Sequence, residues 1–164
     1  MAKSVDNLEL RKACASDVAA IRHCATEAYS QYVERIGKKP APMVADFGSL
    51  VADGKMVVAI NNASEMQSSA AKDMLVGYVV FYADNNTMRL DNIAVLPQCT
   101  GAGIGKLLIA TVEQSAQGLG LDSVTLYTNA SMIENLQMYP ALGYVEFDRR
   151  VEDGFNRVYY RKRV

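Results

Sequence analysis

Apolar residues alternate with polar ones, or recur at helical spacing, along most of the chain, and this pattern predicts its elements. Strands are predicted over residues 8–12, 56–60, 75–82, 88–96, 123–127, 144–148 and 158–161. Helices are predicted over residues 16–29, 43–50, 103–117 and 131–142. The order is strand, two helices, three strands, helix, strand, helix and two strands. It predicts a single domain, residues 1–164, of the α/β (α+β) class, with a mixed, largely antiparallel central sheet flanked by helices.

Turn and cap residues set the expected boundaries of these elements. Ser16 and Ser131 are predicted N-caps, and Glu134 would complete a capping box with Ser131. The run Asp84-Asn85-Asn86 predicts a tight turn between two strands, and Gly77 predicts a bulge. The polar, serine-rich segment 61–72 is predicted to be a long loop.

Composition narrows the function classes. The chain has 164 residues, 50% hydrophobic residues and a net charge of −1, which is typical of a globular domain without a nucleic-acid or membrane partner. We therefore expect a cytoplasmic protein. An odd number of cysteines without a C-x-x-C pair argues against disulfides and a metal site. His23 is the single histidine, so Ser-His-Asp chemistry has little to build on.

A glycine-rich turn follows the predicted strand that ends in Val95-Leu96-Pro97. Glycines at 101, 103 and 105 leave backbone N–H groups uncovered at a helix start, which is a typical site for a phosphate or pyrophosphate. The spacing is G-x-G-x-G, so it lacks the third glycine of the dinucleotide pattern. Leu107 follows Gly105-Lys106 where the Walker A loop needs Ser or Thr, which argues against nucleotide phosphoryl transfer.

Two motifs resemble the GNAT superfamily of acetyl-CoA-dependent N-acetyltransferases. The segment from Thr100 to Gly105 is similar to the family's [Q/R]-x-x-G-x-[G/A] pattern, with Thr100 in place of Gln or Arg. The segment from Tyr139 to Tyr144 is similar to its Y-x-x-x-G-[F/Y] pattern. The resemblance extends from Leu8 to Arg161. It implies acetyl-CoA as the cofactor, a homodimer, and acetyl transfer to a primary amine of a small molecule or peptide.

The resemblance also implies roles for individual residues. Tyr139 is the expected general acid because a phenol is protonated at neutral pH. Asp91 is the expected base, acting through water, with Glu27, Glu34 and Glu134 as alternatives. An acceptor with a lower pKa would need no dedicated base.

Binding residues follow from the same resemblance. The expected cofactor-binding residues are Ile93, Ala94, Val95, Thr100, Gly101, Ala102, Gly103, Ile104, Gly105, Lys106, Asn135 and Tyr139. A polar cap for a nearby backbone group is the alternative role of Asn135. The expected acceptor-binding residues are Tyr29, Tyr32, Glu34 and Arg35.

Two other functions stay open on the sequence alone. A non-catalytic acyl-CoA-binding or sensing module would share the fold and the glycine turn. Cys99 offers an acetyl-cysteine route with ping-pong kinetics, but a small turn residue is the better explanation because the sequence has no histidine base nearby.

Overall fold

The computed structural model describes residues 7–62 and 74–164. Seven strands form one sheet in the order β1-β2-β3-β4-β5-β7-β6. The strands are β1 (Leu8–Lys12), β2 (Met56–Asn61), β3 (Met74–Asp84), β4 (Thr87–Val95), β5 (Ser123–Asn129), β6 (Val145–Glu152) and β7 (Phe155–Arg163). Among the strands of the described residues, β4 and β5 pair in parallel and the other neighbours are antiparallel. The predicted fold class is confirmed. Residues 63–72 of the predicted polar loop lie outside the described residues.

Helices cover both faces of the sheet. They are α1 (Val18–Tyr29), α2 (Val33–Ile36), α3 (Phe47–Ala52), α4 (Ile104–Gly118) and α5 (Ile133–Ala141). One core lies under α1 and α3, where Ile21 and Phe47 pack on Tyr78. The other lies under α4 and α5, where Leu108 packs with Tyr139. Strand residues alternate between the two cores because successive side chains point to opposite faces.

The parallel strands β4 and β5 separate half-way along their length. They pair only from Thr87 opposite Ser123 to Leu90 opposite Leu126. Beyond that point β4 stays paired with β3 as far as Val95, whereas β5 stays paired with β7. A bulge opposite Val80 and Phe81 leaves Asp91 out of the β3–β4 register. The sheet therefore opens between β4 and β5.

Both predicted serine caps are wrong. Ser16 lies inside a 3₁₀ turn, Ala15–Asp17, and the carboxylate of Asp17 accepts the Cys14 N–H at 2.8 Å. Arg11 holds that carboxylate with donors at 2.7 and 2.9 Å, so an ion pair between β1 and the 3₁₀ turn supports this helix start. Glu134 forms no capping box, because Met132 is the N-cap of α5 and Glu134 is the second residue of the helix. Its carboxylate binds Arg35 at 3.1 Å.

The helix predicted over residues 43–50 begins later. Residues Ala41–Val44 form a 3₁₀ turn, and Asp46 accepts the Ser49 N–H at 3.1 Å as the cap of α3. The turn predictions are confirmed. Asn85 lies at the tip of the β3–β4 hairpin with φ of 54°, and the β2–β3 register shifts beside Gly77.

Gly77 lets α4 approach the sheet below the glycine turn. A Cβ at this position would lie 2.9 Å from the Ala94 carbonyl oxygen and 3.3 Å from a methyl of Leu108. We expect Gly77→Ala to destabilise the protein by about 1–3 kcal/mol because backbone must shift. The free energy of unfolding, measured in urea by circular dichroism, checks this.

The matched control is Gly118→Ala, at the end of α4. A Cβ there meets nothing within 4 Å, so this variant should be stabilised by about 0.5–1 kcal/mol through lower backbone entropy of the unfolded chain. Equal stability of the two alanine variants would contradict the packing role of Gly77.

Candidate active site

The glycine turn presents a run of unpaired backbone donors. It joins β4 to α4, and Gly101 and Gly103 have φ of +83° and +86°. Among the described residues, no backbone carbonyl accepts from any N–H between Gly101 and Lys106. These groups lie at the N-terminus of a 15-residue helix, where the helix dipole favours an anion. The turn therefore fits a pyrophosphate.

The backbone also decides which glycines belong to the family pattern. Gly105 lies inside α4, whereas Gly101 and Gly103 have the positive φ that favours glycine. The family pattern fits these two glycines when it begins at Gln98. The alignment made above from the sequence alone began two residues later, at Thr100. Thr100 is then an interior position, and its hydroxyl donates to the Pro97 carbonyl oxygen at 2.8 Å. With this alignment, Gln98 supplies the Gln that opens the family pattern, and Thr100 is no longer a departure from it.

The gap between β4 and β5 forms a cleft of about 590 Å³, counting the part that is open to solvent. Strand β4 forms one wall and β5 the other, while α5 and the segment Pro40–Pro42 close two further sides. The lining residues are Tyr29, Pro40, Ala41, Pro42, Leu90, Asp91, Asn92, Ile93, Tyr127, Thr128, Asn129, Met132, Asn135, Tyr139, Phe155 and Arg157. The cleft brings together five predicted site residues, namely Tyr29, Asp91, Ile93, Asn135 and Tyr139.

Tyr139 reaches the cleft from α5. Its side chain is buried, and its ring packs at 5.8 Å from the rings of both Tyr144 and Tyr160. Burial, with a smaller contribution from Tyr160, raises the pKa of Tyr139 well above its ordinary value. The phenol is therefore a proton donor across the physiological pH range. Among the described residues none makes a hydrogen bond to its hydroxyl.

Tyr29 anchors the free edge of β4. Its hydroxyl donates to the Ile93 carbonyl oxygen at 2.6 Å and lies 3.4 Å from Asn92 Oδ1. The buried Tyr78 hydroxyl donates to the same Asn92 oxygen at 3.1 Å. The Ile93 carbonyl oxygen therefore has a hydrogen-bond partner, although β4 no longer pairs with β5 at this point. Sequence reasoning missed Asn92, although an amide on the strand face that otherwise carries Met88, Leu90 and Ala94 was a signal for it.

Asp91 lies at the β4 bulge on the wall of the cleft. Its nearest charged neighbour is Arg89, whose Nε lies 3.8 Å from Asp91 Oδ1. The side chain is about one-third exposed, at 32%. The carboxylate is therefore open to water and within the cleft.

Asn135 lies across the cleft on α5. Its side-chain amide donates to Thr128 Oγ1 at 3.0 Å and so ties α5 to β5. Asn135 therefore bonds to a side chain, whereas the alternative role considered in the sequence analysis was a cap for a backbone group.

The other predicted acceptor residues do not line the cleft. Arg35 pairs with Glu134 and lies 5.2 Å from the ring centre of Tyr32, so these residues join α2 to α5. Glu34 is exposed on α2. Glu27, an alternative base, is exposed on α1. Asp91 is the one proposed base that lines the cleft.

The remaining predicted cofactor residues lie around the turn. Ala94 is buried in the core under α1, and Val95 packs against the core under α4. Cys99 ends the 3₁₀ turn Pro97–Cys99 and packs against both cores. Its contacts are those of a small apolar turn residue.

The model of the Acetyltransferase (GNAT) family matches residues 21–144. The chain belongs to the GNAT family. The matched region runs from α1 to the end of the second motif and contains the glycine turn, β4, β5 and Tyr139. The resemblance seen in the two motifs is thereby confirmed, and the family's cofactor, acetyl-CoA, fits the unpaired donors of the turn.

Relatives share parts of this GNAT chain. A mycothiol acetyltransferase of Frankia casuarinae is 35% identical over 65 residues, covering 40% of this chain and 19% of the relative. The uncharacterized N-acetyltransferase YvbK of Bacillus subtilis is 32% identical over 81 residues, covering 49% and 52%. The chain thus spans from about a fifth to about half of the length of these curated relatives.

A solved structure shows the same fold. The PaiA N-acetyltransferase of Thermoplasma acidophilum, in complex with coenzyme A, superposes with a TM-score of 0.72. The match covers 96% of this chain and 99% of that chain, at 16% identity. This likeness establishes the GNAT fold across nearly the whole chain.

Across residues 7–62 and 74–164, no helix combines the length and apolarity that a membrane span requires. Within the same ranges, no three His, Cys, Asp or Glu side chains are grouped to hold a metal ion.

Proposed function

We propose that this chain transfers an acetyl group from acetyl-CoA to a primary amine by direct attack within a ternary complex. The observation that carries the proposal is the opening between β4 and β5. It puts a protonated phenol, Tyr139, and a carboxylate, Asp91, in one cleft, and the glycine turn follows directly from β4.

The chain's own groups would hold the cofactor along β4. The N–H groups from Gly101 to Lys106 would bind the pyrophosphate, and each charge near the helix N-terminus adds roughly 0.3–1 kcal/mol. Main-chain groups of Val95 would bind the pantetheine arm. Asn135 lies on the opposite wall. When bound, acetyl-CoA supplies the acetyl group as a reactive thioester.

Two side chains would move protons. Neutralising an amine of pKa near 10.4 at pH 7 costs about 4.6 kcal/mol, and Asp91 would accept that proton through a water molecule. Tyr139 would donate its proton to the departing sulfur. The raised pKa of Tyr139 keeps the phenol in the protonated form that a proton donor needs.

Calorimetric titration with acetyl-CoA tests the proposal first. We expect micromolar binding to acetyl-CoA and no binding to ATP or NAD. Amines should then release CoA thiol in a concentration-dependent way. Binding without turnover on a broad amine panel would favour the non-catalytic acyl-CoA module. Absence of acetyl-CoA binding would contradict both functions.

Assembly and location belong to the same proposal. The edge strand β6 exposes Val145 and Val151, at 68% and 69%, which supports a homodimer that sedimentation can test. The three cysteines are free thiols, as is common in a reducing compartment, which supports a cytoplasmic location that cell fractionation can test.

A further inference from the structure

Arg157 brings a nearly buried cation into the cleft from β7. Its side chain is 10% exposed. Of the described residues that line the cleft, only Asp91 and Arg157 carry a charge. The predicted acceptor residues did not include Arg157, and the proton transfers proposed above do not use it.

The guanidinium of Arg157 is held in place by its neighbours. It lies 4.3 Å from the ring centre of Tyr127 and 5.6 Å from that of Phe155. Its Nη1 donates to Glu152 at 2.9 Å. Among the described residues, its Nε and Nη2 make no hydrogen bond. A guanidinium has five N–H donors, so a rigid fork of donors remains for a ligand in the cleft.

Glu152 does not depend on Arg157 alone. The Tyr159 hydroxyl donates to it at 2.6 Å, and Arg150 lies 3.0 Å away. Removing the Arg157 charge therefore leaves this carboxylate paired. An effect of an Arg157 substitution on ligand binding can therefore be distinguished from a loss of structure around Glu152.

We propose that Arg157 binds a carboxylate carried by the acceptor, while Asp91 faces the ammonium group. Planar carboxylates match the guanidinium fork with two parallel hydrogen bonds. One cation and one anion in the same cleft fit a zwitterionic amine, which is an amino acid. This inference rests on the proposed use of the cleft as the acceptor site.

The side of the cleft formed by Pro40–Pro42 is tied to the hairpin that carries Arg157. Lys38 donates to the Asp153 carbonyl oxygen at 2.7 Å and lies 3.8 Å from the ring centre of Phe155. This contact ties the segment before Pro40–Pro42 to the β6–β7 hairpin.

Matched acceptor pairs test the proposal. The probes are ω-amino acids of three to six carbons beside n-alkylamines of equal chain length, and α-amino acids beside their decarboxylated amines. In the ω series the carboxylate is far from the amine, so amine basicity is nearly matched. Binding is measured by ligand-observed NMR, and turnover is measured separately by release of CoA thiol. We expect the preferred carboxylate to bind about tenfold or more tightly than its matched amine.

Variants assign the preference to Arg157. Arg157→Gln should reduce the difference in affinity within that pair to less than about threefold, through weaker binding of the carboxylate-bearing member. The control is Arg161→Gln, on the same strand and face but outside the cleft, where Arg161 stacks on Phe147 at 4.4 Å. This control should keep the wild-type preference.

Binding and thiol release are measured separately, so a failure of the carboxylate site can be distinguished from a failure of acetyl transfer. Equal or undetectable binding of both members of every pair would overturn the inference, and so would a preference that survives Arg157→Gln. Carboxylate-selective binding without any thiol release would support the inference and contradict the acetyl-transfer function.

Discussion

Tyr139→Phe is expected to lower kcat by about 10²–10⁴-fold, the range over which a positioned general acid contributes. The affinity for acetyl-CoA should hardly change, because the ring and its contacts with Tyr144 and Tyr160 remain. Stability should also change little, since none of the described residues hydrogen-bonds the lost hydroxyl. Steady-state kinetics, calorimetry and urea unfolding measure the three quantities.

Tyr144→Phe is the matched control for this prediction. Its hydroxyl donates to Glu113 at 3.0 Å, so its removal should cost about 1 kcal/mol of stability and leave kcat near the wild-type value. We thus expect opposite results for the two variants: Tyr139→Phe should lower kcat, whereas Tyr144→Phe should lower the free energy of unfolding. A kcat for Tyr139→Phe within threefold of wild type would remove the proton-donor role.

Gly103→Val is expected to weaken acetyl-CoA binding by about 10- to 100-fold. A left-handed backbone costs a side-chain-bearing residue roughly 1–2 kcal/mol, and a β-branched residue tolerates φ of +86° especially poorly. Relaxation of this strain would turn the neighbouring N–H groups away from the pyrophosphate. An added Cβ meets nothing within 4 Å, so a clash inside the protein is not the cause. Calorimetric titration gives the affinity.

Gly120→Val carries the same strain at the other end of α4. Gly120 has φ of +69°, and its Cβ would also lie in open space. Both variants should lose roughly 1–2 kcal/mol of stability, whereas only Gly103→Val should lose affinity. Equal affinities of the two variants would mean that the turn does not bind the cofactor.

Local patterns predicted much of the fold. The strand at Leu8–Lys12 has the predicted bounds, and the remaining predicted strands differ only at their ends, because alternation is a short-range signal. Both serine caps failed for one reason. In each case the helix begins later than predicted, so Asp17 and Met132 occupy the N-cap positions in place of the serines.

The glycine turn shows where a sequence motif stops being informative. Three alternating glycines predicted a loop with free donors, and the backbone bears this out. The φ angles then distinguish the two turn glycines, Gly101 and Gly103, from Gly105 within α4. The spacing of the glycines in the sequence could not distinguish them. The alignment based on that spacing therefore placed the family pattern two residues too late.

The sequence by itself determined the family, the order of the elements, the glycine turn and the place of Tyr139 in the second motif, because each depends on short-range periodicity or a contiguous motif. Only the tertiary structure decided what faces Tyr139. The parting of β4 from β5 opens the cleft, and β7 brings Arg157 into it from 66 positions beyond Asp91. Strand pairing over such distances depends on how the whole sheet closes, and no local pattern of residues encodes it.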